Sequence, residues 1–105
     1  GGSNVLHGNK GTDRIDGGGG NDRLVGGKGR DTLTGGHGAD TFVFKSGYGR
    51  DKVTDLDAKK DRIQIEAGYD VVKRGDNVIL DLDDGDRLKI LDVSWAEIRD
   101  SIDLI

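Results

Sequence analysis

The sequence predicts an all-β fold: a parallel β-roll, or β-solenoid, closed by a C-terminal β-hairpin and a short helix. Three observations carry this. Four nine-residue units, GNKGTDRID, GGGGNDRLV, GGKGRDTLT and GGHGADTFV, run without interruption from Gly8 to Val43. In all four, Gly holds the fourth place, Asp the sixth and an apolar residue the eighth. Glycine then drops from sixteen residues in 1–53 to three in 54–105, where alternating aliphatic residues take over. A period this short describes a unit that buries its apolar residue only by stacking on its neighbours.

The columns extend beyond the four units. The apolar column reads Leu6, Ile15, Leu24, Leu33, Phe42 and Val53, and the acidic column Asn4, Asp13, Asp22, Asp31, Asp40 and Asp51. A half-unit precedes the array. A further loop, Ser46-Gly47-Tyr48-Gly49-Arg50-Asp51, follows it after a two-residue slip. Glycine reaches positive φ without a Cβ clash, so the first six residues of a unit curl into a tight loop with inward carbonyls. The last three form a minimal strand whose eighth residue points inward while the seventh and ninth face out. Two units make one turn. Leu6, Leu24 and Phe42 therefore face Ile15, Leu33 and Val53 across the coil.

Two files of single side chains are too thin a core to offset the entropy of ordering so glycine-rich a chain. Stacked turns, however, gather acidic side chains and inward carbonyls into the oxygen cage that a hard divalent cation requires. Without metal the same carboxylates repel one another, and the segment is expected to be largely disordered. The units fit the pattern G-G-x-G-x-D-x-U-x. On these residues the chain resembles the RTX, or repeats-in-toxin, family, whose nonapeptides bind Ca2+ in a parallel β-roll.

The resemblance implies ligand sets, each shared between loops two units apart. One site would use Asn9, Gly11, Asp13, Gly26, Lys28 and Asp31. A second would use Gly18, Gly20, Asp22, Gly35, His37 and Asp40. A third, distorted by the slip, would use Gly27, Gly29 and Asp31 with Ser46, Tyr48 and Asp51. A site at the amino end is weakened because Asn4 stands in place of Asp. Lys28 and His37 would contribute backbone carbonyls only. With no cysteine and His7 as the sole other histidine, a zinc site lacks ligands.

The second half, residues 54–105, is expected to be a β-rich flank that caps the roll of residues 1–53. Val78–Leu82 and Arg87–Leu91 flank Asp83-Asp84-Gly85-Asp86, a hairpin signal. Ser94 to Glu97 reads as a capping box, with Val93 and Ile98 placed for a hydrophobic staple and Trp95 in the first helical turn. Trp95, Ile98, Ile102, Leu104 and Ile105 are candidates for covering the open end of the solenoid. Asp55, Asp57 and Asp61 do not fit an EF-hand, since Lys59 occupies its fifth place. In the RTX flank, the acids corresponding to Asp55 and Asp61 often help bind the last calcium, so the resemblance implies that role here, with solvated charges as the alternative.

Composition narrows the function. At 105 residues the chain is one domain by length, and 32% apolar content without a long apolar run predicts no membrane span. The absence of cysteine excludes a disulfide framework and cysteine catalysis. No H-E-x-x-H or G-x-S-x-G motif is present, so the chain itself is not expected to be an enzyme. No N-terminal signal peptide is visible. The resemblance implies an extracellular protein exported by type I secretion, and a module that folds on calcium and supports the secretion and stability of a larger secreted polypeptide.

Charge suggests an alternative. Residues 1–53 hold eight Lys or Arg against six Asp, whereas residues 54–105 hold eight against fourteen acids. Lys10, Lys28, Arg30 and Arg50 should share one loop edge near Arg14 and Lys52, suited to an anionic polysaccharide or cell surface. On that alternative the chain is a binding module of a polysaccharide-modifying enzyme or adhesin. It is expected to be a monomer, with no nucleic-acid partner.

Overall fold

The glycine-rich start of each unit cannot pair as strand, so the strands are short and regularly spaced. In the computed structural model they are β1 Val5–His7, β2 Arg14–Asp16, β3 Arg23–Val25, β4 Thr32–Thr34, β5 Thr41–Phe44 and β6 Arg50–Val53. The structure describes residues 5–8, 11–44, 49–57, 60–66, 69–82, 87–91, 93 and 95–104. Asn4, Asn9, Lys10, Ser46, Tyr48, Ser94 and Ile105, and the turn at residues 83–86, lie outside the described residues.

Odd strands form one sheet and even strands the other, all parallel through β6. The register is the predicted one. Leu6 stands beside Leu24 and Leu24 beside Phe42, while Ile15 stands beside Leu33 and Leu33 beside Val53. The last pair absorbs the two-residue slip without shifting the apolar file.

The chain then keeps building on both sheets. Strand β7, Arg62–Ile65, lies parallel to β5 and sets Ile63 beside Phe42. Strands β8 (Tyr69–Arg74), β9 (Asn77–Leu82) and β10 (Arg87–Ile90) form an antiparallel meander. Its last strand, β10, docks parallel to β6, with Ile90 beside Val53. Helix α1, Trp95–Ile98, and a 3₁₀ turn, Arg99–Ser101, lead to β11, Ile102–Leu104, which closes the first sheet parallel to β7. The sheet orders are β1-β3-β5-β7-β11 and β2-β4-β6-β10-β9-β8.

One core runs the length of the molecule. Leu24, Leu33, Phe42, Val53, Ile63, Leu80, Leu88, Ile90 and Ile98 are fully buried in it. Val93 and Ile98 both belong to this cluster, consistent with the staple, and Trp95 packs on it at half-burial, edge-on to Tyr69 with ring centroids 6.4 Å apart. Val25 and Val43 depart from the simple alternation. They stand side by side in register, at positions expected to face outward, yet both are buried.

Candidate metal centre

The acidic column is the polar counterpart of the apolar file. Asp22, Asp31, Asp40, Asp51 and Asp61 are all buried, at 5% exposure or less. Carboxylates this deep require compensation. Part of it comes from the backbone two units back: the N–H of Asp13 donates to Oδ1 of Asp31 at 3.0 Å, and that of Asp31 to Oδ1 of Asp51 at 3.1 Å. On the other side of the roll, Asp22 N–H donates to Asp40 Oδ1 at 2.9 Å and Asp40 N–H to Asp61 Oδ1 at 2.8 Å. The acids therefore form two ladders, Asp13–Asp31–Asp51 and Asp22–Asp40–Asp61.

The second carboxylate oxygen points elsewhere. Oδ2 of Asp31 and Oδ2 of Asp40 are buried without a hydrogen-bond partner. A buried, unsatisfied anionic oxygen is costly unless a cation meets it. Burial pushes the carboxyls of Asp31, Asp40 and Asp61 above the usual carboxylate range. Neighbouring acids add to this: Asp13 for Asp31; Asp61, Asp22 and Asp55 for Asp40; Asp55 and Asp57 for Asp61. Backbone hydrogen bonds oppose the rise without cancelling it.

Glycine makes room for these oxygens in two ways. Gly18 and Gly20 take φ of +75° and +89°, a region that L side chains avoid. Gly17 has no such φ. A Cβ there would lie 2.7 Å from both Asp22 Oδ2 and the Gly35 carbonyl oxygen. Gly8 repeats the arrangement one unit earlier, where a Cβ would run into the Gly26 carbonyl and Asp13 Oδ2. The first glycine of a unit thus leaves a space lined by one loop's carboxylate and the carbonyl of the loop two units on. All-oxygen lining of this kind suits calcium.

The structure brings together parts of each expected ligand set. Asp13, Gly26 and Asp31 of the first meet around Gly8, as do Asp22, Gly35 and Asp40 of the second around Gly17 and Gly35. Asp31 and Asp51 of the third are joined directly, and Gly26 lies beside both of their Oδ2 atoms. Gly11, Gly20 and Gly29 stack their carbonyls under Gly29, Gly38 and Gly49, and the Gly18 carbonyl accepts the His37 N–H at 3.0 Å. Lys28 and His37 have exposed side chains, and Gly27 has φ of +80°. Among the described residues no three His, Cys, Asp or Glu side chains cluster as a metal site, so a cage here must draw on backbone carbonyls.

Asp55 and Asp61 have different surroundings. Asp55 receives the N–H groups of Gly35 and Gly36, each at 2.8 Å, and so clamps the start of that loop with both oxygens. Asp61 occupies the next rung of the ladder, and its Oδ2 also accepts from Asp57 N–H at 2.8 Å. The triplet Asp61-Arg62-Ile63 repeats Asp13-Arg14-Ile15, a signal that would have placed it in the column without reference to the flank. Sequence reasoning missed two smaller braces. Asp16 accepts from Gly18 N–H at 3.0 Å, and Asn21 from Ala39 N–H at 2.8 Å.

The comparisons agree with this geometry. Residues 1–33 and 16–51 match the profile of the RTX calcium-binding nonapeptide repeat. The extracellular lipase LipA from Serratia marcescens shares the fold, with a TM-score of 0.67 at 23% identity over 99% of this chain. This chain spans only 20% of the lipase. The AlgE6R3 subunit of the Azotobacter vinelandii mannuronan C5-epimerase matches with a TM-score of 0.59 at 26% identity, covering 96% of this chain and 77% of that one. No curated protein matches by sequence. Residues 1–51 are thus RTX calcium-binding nonapeptide repeats.

Proposed function

We propose that the chain is an extracellular, non-catalytic module that folds when calcium enters its acidic ladders, and that it supports the export and stability of a larger secreted protein. The observation that carries this is the buried, partnerless Oδ2 of Asp31 and of Asp40, each beside the glycine that opens its loop. The ions would lie between loops two units apart, at the Asp13/Asp31, Asp22/Asp40 and Asp31/Asp51 rungs, and Asp40/Asp61 offers a further one. Bound calcium would supply the positive charge that these carboxylates lack. Extracellular calcium sites bind at roughly 0.1 to 1 mM, so the sites would stay empty in the cytosol and fill outside. A chain exported by type I secretion would then remain unfolded until it leaves the cell, and residues 54–105 would cap the finished roll.

Calorimetric titration of the chelated protein with calcium tests this. At least two ions per chain should bind, with the large negative heat-capacity change of coupled folding. Binding of fewer than two, or binding without that change, contradicts the proposal.

A second reading, a module that holds an acidic polysaccharide for a secreted enzyme or adhesin, is favoured by cations that the fold gathers on one sheet. The similarity to a subunit of an epimerase named for mannuronan points the same way.

A further inference from the structure

The cations of the two halves meet on the outer face of the even-numbered sheet. A cleft of about 410 Å³ there is lined by Arg30, Arg50, Lys52, Arg87 and Lys89, with Asp31 and Asp51 in its wall. The register explains the cluster: Arg50 stands beside Arg87, and Lys52 beside Lys89, on the adjacent parallel strands β6 and β10. Neighbouring strands lie about 5 Å apart and alternate residues about 7 Å, so the cations form an arginine row and a lysine row, both crossing the strands along the roll axis. Of the expected loop edge, Arg30, Arg50 and Lys52 line this cleft, Lys28 and Arg14 do not, and Lys10 lies outside the described residues. Two of its five cations come from β10, which sequence spacing alone could not bring beside β6.

Like charges directly opposite on adjacent strands destabilise a sheet. Among the described residues, Arg87 is the one of these four with an ion pair, to Asp81 at 2.7 Å on the adjacent strand β9. Arg50, Lys52 and Arg87 are exposed and Lys89 is half-buried, so the rows face outward. Two in-register pairs of like charge are unfavourable for the sheet as such. They are well placed for a ligand that carries regularly spaced negative charge.

We propose that the cleft between the arginine and lysine rows binds a linear acidic polysaccharide lying along the roll axis. This rests on the second reading above and specifies its site. The polymer's anionic groups would sit between the rows, each within reach of Arg50 and Arg87 on one side and Lys52 and Lys89 on the other. Arginine contributes planar, bidentate recognition and lysine a mobile point charge. Among the described residues no aromatic ring lines the cleft, so these offer no platform on which single-stranded nucleic acid stacks its bases. Calcium at the Asp31/Asp51 rung would remove the negative charge of the wall. Arg30, Arg50, Lys52 and Lys89 would then face the ligand together with Arg87, which keeps its bridge to Asp81.

Binding of a short oligouronate, below the length that calcium cross-links, and of a sulfated oligosaccharide would be measured in saturating calcium. A neutral oligosaccharide and oligothymidylate serve as comparisons. The parent should bind at least one acidic oligosaccharide, more weakly as salt rises, and the neutral one not at all. Which of the two binds identifies the anionic group. The double variant Lys52→Thr/Lys89→Thr should lose about tenfold in affinity, while its thermal midpoint stays level or rises because a like-charge pair has gone. Circular dichroism confirms that it folds. Failure of the parent to bind either acidic probe overturns both this proposal and the second reading. Equal binding by parent and double variant overturns the site alone, and tighter binding of oligothymidylate replaces the polysaccharide with a nucleic acid.

Discussion

The backbone N–H of Asp40 donates to Oδ1 of Asp61 at 2.8 Å, the same bond that Asp22 makes to Asp40 one turn earlier. A residue outside the nonapeptide array is therefore a rung of its ladder. Asp61→Asn keeps the volume and one acceptor but removes the charge. In saturating calcium it should cost about 2 kcal/mol, the scale of a charged buried hydrogen bond, and lower the number of bound calcium ions by one. Unchanged calcium stoichiometry in the variant would show that Asp61 is only a backbone brace.

Gly17 and Gly19 separate space from flexibility. A Cβ at Gly17 would lie 2.7 Å from Asp22 Oδ2 and from the Gly35 carbonyl, whereas at Gly19 nothing lies within 4 Å. Neither glycine is at positive φ. Gly17→Ala should weaken calcium binding severalfold and lower the midpoint of thermal unfolding in calcium. Gly19→Ala should be neutral, or stabilise by about 0.5 kcal/mol by restricting the unfolded chain. Equal melting curves for the two variants would count against the carboxylate space at Gly17.

The buried acids set the sign of the pH response in the metal-free chain. Asp31, Asp40 and Asp61 have raised carboxyls when folded. Their contribution to stability is present below the ordinary carboxylate value, near 3.9, and is lost as pH rises through their folded values. Chelated protein should therefore gain β structure as pH falls from neutral toward 4. Asp103 acts oppositely. Its hydrogen bonds with Arg62 (2.7 and 2.8 Å) hold it below the usual range, so its contribution is lost as pH falls through that depressed value. The pair is exposed, and its effect should be small. A chelated chain that loses β structure between neutral pH and 4 would contradict the sign assigned to the buried trio.

Ile63 joins the two halves, standing beside Phe42 in register and fully buried with it. Ile63→Ala should cost about 2 to 5 kcal/mol. Because both sheets run through residues 53 and 54 into one core, the loss should lower a single unfolding transition. Calorimetry that resolves two independent transitions would instead divide the molecule at that point.

Much of this was legible because it repeats. Leu6, Leu24 and Phe42, like Asp13, Asp31 and Asp51, fall into ladders by counting alone, and even the slip before Asp51 left its column intact. The rest depended on contacts that no period records. Residues 54–60 contain no glycine, so Asp61-Arg62-Ile63 resumes the pattern without the loop that announces it. The tandem Val71-Val72 hides the alternation of β8, although Gly75-Asp76 is a hairpin turn between β8 and β9. Whether Arg87 and Lys89 would meet Arg50 and Lys52 was settled by which edge the meander docks on. The cation rows arise from that tertiary choice.

Calcium-coupled folding is the central claim, and far-ultraviolet circular dichroism of chelated protein titrated with calcium at neutral pH tests it most directly. A cooperative gain of β signal, complete by about 10 mM calcium and reversed by chelator, is the expected result, since extracellular sites bind near 0.1 to 1 mM. A full β spectrum before any calcium is added, or no gain up to that concentration, would contradict it.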